Sequence, residues 1–213
     1  MIFAAALTEV AILTTDRLRL EPQGAQHLDG LSALLANEES RRLTGTHATF
    51  TQEQISNHLK GLAEQADRAD WAIIRAEDDC YLGEIVLNEL DADNASMNLR
   101  IALAGEFGRG YGTEATRAVV GYGLDEVGLH RISLEVYAFN PRAKRVYEKC
   151  GFIAEGVARD ALHWDGEWVD ANLMSILATD PRGGSVVGGG RPRGRRDREL
   201  GRSSPIGAKL EPR

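Results

Sequence analysis

The feature that most constrains the fold is a change of period in the middle of the chain. Residues 96–104 read as a strand, and residues 108–112 hold three glycines. From Thr113 to about Val127, Ala115, Val119, Tyr122 and Glu126 recur at helical spacing. Residues 131–139 are β-branched and aromatic, as a strand prefers. Asn140-Pro141 then opens a short helix that ends at Gly151. A strand–helix–strand unit therefore sits at the centre. Upstream, 71–75 and 81–90 read as strands joined by a turn at 77–79, and a second turn at 91–94 leads into 96–104. This meander is preceded by a short strand at 17–21 and a helix at 25–36, with Leu28, Leu31, Leu34 and Leu35 on one face. A further helix starts at Thr51, where Gln54 completes a capping box and Ile55, Leu59 and Leu62 share a face. Two strands, 152–162 and 167–177, close the pattern around the hairpin signal Asp165-Gly166. The fold class expected is mixed α/β (α+β).

Composition narrows the setting. The chain has 213 residues, 43% hydrophobic and 27% charged, enough for a buried core. Its longest apolar run, residues 1–7, is far below the roughly 18 residues of a membrane span, and no basic segment precedes it as in a secretory signal. Cys80 and Cys150 form no CxxC, which argues against a disulfide framework or a cysteine zinc site and suits the cytoplasm. His27, His47, His58, His130 and His163 show no metal-ligand spacing, so no metal is expected. The formal net charge of −7 counts against a general nucleic-acid binder. That charge is split, however: residues 180–213 carry +5 and the remainder −12. The basic stretch contains GGSVVGGGRPRGRRDREL and no apolar periodicity, so it reads as a disordered tail. Such a tail is plain solvated chain, an arm that touches RNA, ribosome or an acidic partner, or a segment tethered to the acidic body. The organisation expected is an N-terminal extension (1–12), a folded domain (13–179) and the tail (180–213).

The glycine-rich stretch EFGRGYGTEA carries the first chemical signal. Alternating glycines let the backbone approach a ligand closely, and the helix behind them presents unpaired N–H groups and a positive dipole end. Phosphate suits such a site, with Arg109 as a charge-assisted partner; the plain alternative is a loop and nothing more. A P-loop is excluded because no GK[ST] follows. Residues 110–115 do match the dinucleotide pattern GxGxxA, with Glu135 about 20 residues on. Yet Glu135 lies mid-strand, and the motif follows a meander where a doubly wound sheet would place it after the first strand.

The second signal is AFNPRAKRVYEKCGF, directly after the next strand. Together with the loop upstream, it resembles the GNAT superfamily of acyl-CoA-dependent N-acetyltransferases. The resemblance spans residues 13–177. It includes the opening LTTDRLRLEP, Gly83-Glu84, residues 109–115, Asn140 with Ala143 and Tyr147, and the ending GFIAEGVARDALHWDGEWVDANLMSIL. The opening and ending are similar to the RimJ/RimL-like branch, whose characterised members acetylate ribosomal-protein N-termini. One departure stands out: Phe107 occupies the loop position where the family often has Gln or Arg.

The resemblance implies a mostly antiparallel sheet flanked by helices, with a splayed strand pair formed by 96–104 and 131–139. It implies acetyl-CoA as co-substrate, its pantetheine held by backbone near Ile101 and Leu103 and its pyrophosphate by Arg109, Gly110, Gly112 and Thr113. Asn140 either contacts the cofactor or simply caps its helix, or does both. The amine attacks the thioester directly, which needs a base for the ammonium proton and an acid for the thiolate. Tyr147 matches the family acid; its alternative is a packing tyrosine. Glu84 and Asp170 are the carboxylates considered as base, beside a water chain with no single base. The acceptor implied is a protein N-terminus, with a small cationic amine of the polyamine or aminoglycoside type as alternative. A non-catalytic acyl-CoA-binding module is the reading from another class. Monomer and homodimer are both compatible with the sequence.

Overall fold

The computed structural model describes residues 2, 5–105 and 107–181. The expected tail, from residue 182 on, lies outside the described residues.

The elements follow the periods of the sequence with a few shifts at their ends. A short helix α1 (Ala5–Thr8) and strands β1 (Leu13–Thr14) and β2 (Leu18–Pro22) lead into α2 (Leu28–Ala36), which a single 3₁₀ turn precedes. Helix α3 (Glu38–Thr44) follows at once, then α4 (Gln52–Gly61). The meander is β3 (Ala69–Arg75), β4 (Cys80–Asp91) and β5 (Ser96–Leu103). Helix α5 (Tyr111–Tyr122) runs on into a π turn (Gly123–Val127) before β6 (Arg131–Tyr137). Helix α6 (Pro141–Lys149) and strands β7 (Ile153–Trp164) and β8 (Glu167–Leu177) complete the chain.

All eight strands form one sheet in the order β1-β2-β3-β4-β5-β6-β8-β7. Every neighbouring pair is antiparallel except β5–β6, which is parallel and joined through α5. This is the expected mixed, mostly antiparallel sheet. One face packs the main core: Trp71, Ile85, Leu87, Leu99, Ile132 and Leu134 lie with Ala115 and Val119 of α5. The opposite face carries a smaller cluster in which Leu31 and Leu34 of α2 meet Ile55 and Leu59 of α4.

Three differences from the sequence reading have local causes. Helix α5 begins at Tyr111, two residues before the periodicity does, because Gly110 at φ 87° makes the cap. Helix α3 is absent from the sequence reading, since EESRRLT has no apolar stripe; caps make it instead. Asn37 Oδ1 accepts from the Ser40 N–H at 2.8 Å, and Gly45 ends the helix in the left-handed region. Strand β6 stops at Tyr137, short of Phe139. The described residues of the expected extension (1–12) also pack closely. Leu7 is buried in the core, the Trp71 indole donates to the Ala11 carbonyl at 2.9 Å, and the Tyr122 hydroxyl donates to the Ala6 carbonyl.

Candidate active site

The site begins where the sheet comes apart. Strands β5 and β6 pair only through Ser96–Arg131, Met97–Ile132 and Asn98–Ser133. Beyond that point β5 stays with β4, as in the Ile85–Ile101 and Gly83–Leu103 pairs, while β6 stays with β8, as in the Glu135–Leu173 and Tyr137–Ala171 pairs. The two halves diverge, and a cleft of about 950 Å³ opens between them. Gly83 is needed on the β4 side: its φ is 153°, and a Cβ there would lie 2.0 Å from the Ala102 carbonyl oxygen. Its absence lets β4 hold β5 tightly at the residues that form the cleft wall. Along residues 99–103, the backbone groups that do not face β4 turn to the cleft, with the Leu103 carbonyl accepting from the Ser40 hydroxyl at 3.3 Å, so a partner can pair with this edge as a strand would.

The glycine loop closes one end. Gly108 and Gly110 have positive φ, and the N–H groups of Tyr111, Gly112 and Thr113 form the first turn of α5, where no intrahelical acceptor exists. The opening motif of the sequence reaches this loop. Arg17 donates through Nη1 to the Arg109 carbonyl at 2.9 Å, and through Nε and Nη2 to Glu114 Oε2 at 2.8 and 2.6 Å. Glu114 Oε1 in turn accepts from the Thr15 hydroxyl and the Arg17 N–H. The guanidinium also lies 4.8 Å over the Tyr111 ring. These bonds hold the Glu114 carboxyl below its usual range against the burial that pushes it up. Arg17 thus fixes the loop and pairs with the acid nearest the anion-binding helix end.

Helix α6 forms the roof. Asn140 Oδ1 accepts from the Ala143 N–H at 3.1 Å, so its capping role is real, and it also lines the cleft. Arg142 and Arg145 line the cleft too. Phe107 is not an empty position: the Arg142 guanidinium sits 3.8 Å over its ring, so a cation from the next helix stands where the family side chain is missing. Tyr147 is buried, reaches the cleft, and packs beside Phe152 at 5.8 Å between rings. Burial raises its phenol further above the ordinary value, so it keeps its proton at neutral pH. Cys150 is packed in the core. Its thiol points to the Thr113 carbonyl at 3.6 Å and is pushed up to about 11 by burial.

Ile101, Leu103, Gly110, Gly112, Thr113, Asn140 and Tyr147 therefore line one cleft. Arg109 is not part of that lining and enters through its carbonyl. Glu84 is also outside it. It lies one strand away, opposite Ala102 of β5 and Ala72 of β3, on the α2–α4 face of the sheet. Burial first, and then the nearby Asp70 carboxylate, push it up to about 7, against the pull of Arg100 and Arg68. Asp170 is held at the β7–β8 irregularity, accepting from the Asp160 N–H at 2.9 Å. His163 packs against Trp168 on the hairpin. The carboxylates that do line the cleft are Glu89, Glu135 and Glu155. Glu155 is held by the Arg131 guanidinium and the Ser175 hydroxyl, whereas Glu135 and Glu89 form no ion pair among the described residues. Glu135 follows the last β5–β6 pair and faces away from Leu134 and Val136, within electrostatic range of Tyr137. Strand alternation in RISLEVY was the signal for it, since it groups Arg131, Ser133, Glu135 and Tyr137 on one face.

The donor set fits a polyanionic acyl carrier: free helix N–H groups, glycines with positive φ, and the cations of Arg142 and Arg145. Residues 17–153 match the family model described as acetyltransferase (GNAT) domain. The chain is 29% identical over 170 residues to the N-acetyltransferase YoaA of Bacillus subtilis, covering 78% of this chain and 96% of that one. It is 31% identical over 97 residues to spermidine N(1)-acetyltransferase of Vibrio cholerae, covering 45% of this chain and 56% of the relative. Among solved structures, spermidine N-acetyltransferase from Vibrio cholerae in complex with CoA and spermine superposes with TM-score 0.72 at 22% identity, covering 78% of this chain and 98% of that one. A GNAT-family acetyltransferase from Bacillus anthracis superposes with TM-score 0.69 at 21% identity, covering 79% and 99%.

Proposed function

The chain belongs to the GNAT acetyltransferase family and is an acyltransferase that uses acetyl-CoA, and from that premise we propose that it acetylates the primary amine of a small cationic acceptor in the β5–β6 cleft. Acetyl-CoA supplies the acetyl group as a thioester. The chain's own residues divide the remaining work. Backbone at Ile101 and Leu103 pairs with the pantetheine arm and polarises the thioester carbonyl. The N–H groups at Gly110, Gly112 and Thr113 hold the pyrophosphate, with Arg142 as side-chain cation and Asn140 setting the start of α6. Tyr147 donates its proton toward the leaving sulfur. Its raised pKa does not bar this, because the same buried surroundings also raise the basicity of a thiolate.

Glu135 is the carboxylate that geometry favours for receiving the acceptor ammonium, since it lines the open part of the cleft. Glu84 is the second base, favoured by a pKa near 7 and reached through water past Ala102. A pH–rate profile separates them. Loss of the limb near pH 7 in Glu84→Gln assigns it to Glu84; its persistence there and loss in Glu135→Gln assigns it to Glu135.

The single observation that carries the reading is the strand pair that parts after Asn98–Ser133, with the α5 N-terminus at its end and Tyr147 in its wall. The carboxylates at the mouth favour a cationic acceptor, as do the spermidine-acetylating relatives. A second reading keeps the RimJ/RimL-like branch and a protein N-terminus as acceptor. It is favoured by the opening LTTDRLRLEP, whose Arg17 has a defined place at the loop. Thiol release from acetyl-CoA, measured with polyamines, aminoglycosides and peptides, chooses between the two. Tight CoA binding with no thiol release from any amine would support the non-catalytic module instead.

A further inference from the structure

Beyond the cleft, the tip of the β7–β8 hairpin and the end of β6 enclose a second groove of about 440 Å³. Three aromatic rings, Phe139, Trp164 and Trp168, share it with three carboxylates, Asp165, Glu167 and Asp170. Trp168 is 64% exposed, the most exposed large apolar side chain among the described residues, so core packing does not account for it. The groove already displays the chemistry it favours. Arg42 of α3 lies 4.3 Å over the Phe139 ring, and the His47 ring stacks on Trp164 at 4.9 Å. Asp165 and Glu167 form no ion pair among the described residues. Aromatic faces and unpaired carboxylates together attract an organic cation and repel anions.

The groove adjoins the cleft along two elements. Tyr137 lines the cleft and Phe139 the groove, with 5.6 Å between their rings. On α3, Leu43 and Thr44 line the cleft while Arg42 lines the groove. The Tyr137 and Phe139 rings thus form a continuous aromatic surface from the cleft to the groove.

We propose that this groove is a second ammonium site, which holds the distal charge of a linear di- or polyamine while its first amine is acetylated in the cleft. The assignment rests on the reading of the cleft as an amine-acetylating site. Methylene groups of the acceptor lie on the Tyr137 and Phe139 rings, and the far ammonium meets Trp168 with Asp165 and Glu167. A monoamine has no far ammonium to place there, so the groove selects by charge number and spacing.

The test is calorimetric titration of the full chain, saturated with CoA, with spermidine and with butylamine, which needs no turnover. Wild type is expected to bind spermidine more tightly. Trp168→Ala, and separately Asp165→Asn with Glu167→Gln, are expected to weaken spermidine about five- to tenfold and leave butylamine and CoA unchanged. Arg42→Ala removes the resident cation, so spermidine binding is expected to tighten. Unchanged spermidine affinity in the first two variants, or an equal loss for butylamine, overturns the proposal. Failure of the cleft reading looks different: no amine then releases thiol from acetyl-CoA, whatever the calorimetry shows at the groove.

Discussion

The two faces of the cleft are built by different means. On the side proposed to hold the cofactor, the parts assigned to it are backbone: the opened edge of β5, the glycine loop and the first turn of α5. Side chains there mostly hold backbone in place, as Arg17 holds the Arg109 carbonyl and Glu114. On the side proposed to receive the acceptor, the lining is side chains from separate segments: Glu89 of β4, Glu135 and Tyr137 of β6, and Leu43 and Thr44 of α3. A pyrophosphate presents the same oxygens in every acyl-CoA, so fixed backbone donors suffice for it. An acceptor differs from enzyme to enzyme, and exchangeable side chains are the means by which one scaffold takes different amines.

The largest effect expected on either side belongs to Tyr147. Tyr147→Phe is expected to lower kcat about 10²–10⁴-fold with acetyl-CoA affinity nearly unchanged, read from single-turnover thiol release and a binding titration. Full activity in this variant would move the proton donor off α6. Next is Arg17→Ala, which removes the cation paired with Glu114 beside the proposed phosphate site, leaving only the Thr15 hydroxyl and the residue-17 N–H on that carboxylate, and frees the loop. CoA affinity is expected to fall about tenfold or more, while the affinity for the acceptor stays. An equal loss for both ligands would mean that Arg17 supports the whole fold and not the cofactor side.

Glu84 sharpens the comparison through pH. Its folded pKa of about 7 lies above the unfolded value, so the folded state binds more protons between about pH 4.5 and 7. The stability this contributes is present at low pH and is lost as pH rises through 7. Glu84→Gln removes the charge that has to be buried. Its melting temperature is therefore expected to exceed wild type at pH 8, with the difference shrinking toward pH 4. A difference independent of pH would show that Glu84 does not titrate in this range. The smallest effect is long-range. The kcat/KM of a cationic acceptor should decline as salt is raised, by far more than the affinity for acetyl-CoA if Glu135 and Glu89 steer it. A flat profile would remove electrostatic steering from the acceptor side.

The same division explains what the sequence alone can tell. The cofactor side is local in the chain. Gly108, Gly110 and Gly112, then Asn140-Pro141 and Tyr147, lie in two stretches whose order and spacing identify the loop, the capped helix and the strands between them. The Thr51–Gln54 capping box and the Asp165-Gly166 hairpin were legible for the same reason: each is a short-range hydrogen-bond pattern written in a few residues. The acceptor side is non-local. Glu135 becomes a cleft residue only because β5 leaves β6 after Asn98, an event no residue near Glu135 announces. Glu84, the carboxylate the sequence puts forward as base, is set behind Ala102 by the register. Helix α3 escaped because its caps, not an apolar stripe, define it, and with it went the packing that places Arg42 on Phe139. Arg142 on Phe107 is likewise a contact between two segments, so the missing family side chain looked like a loss.

The contrast between a backbone-built cofactor side and a side-chain-built acceptor side is tested most directly by amide hydrogen exchange with and without CoA. Slowed exchange is expected at residues 101–103 and 110–113, with residues 164–169 of the hairpin unchanged. Saturating CoA that leaves 110–113 at their unliganded rates, or that slows the hairpin instead, would contradict the account.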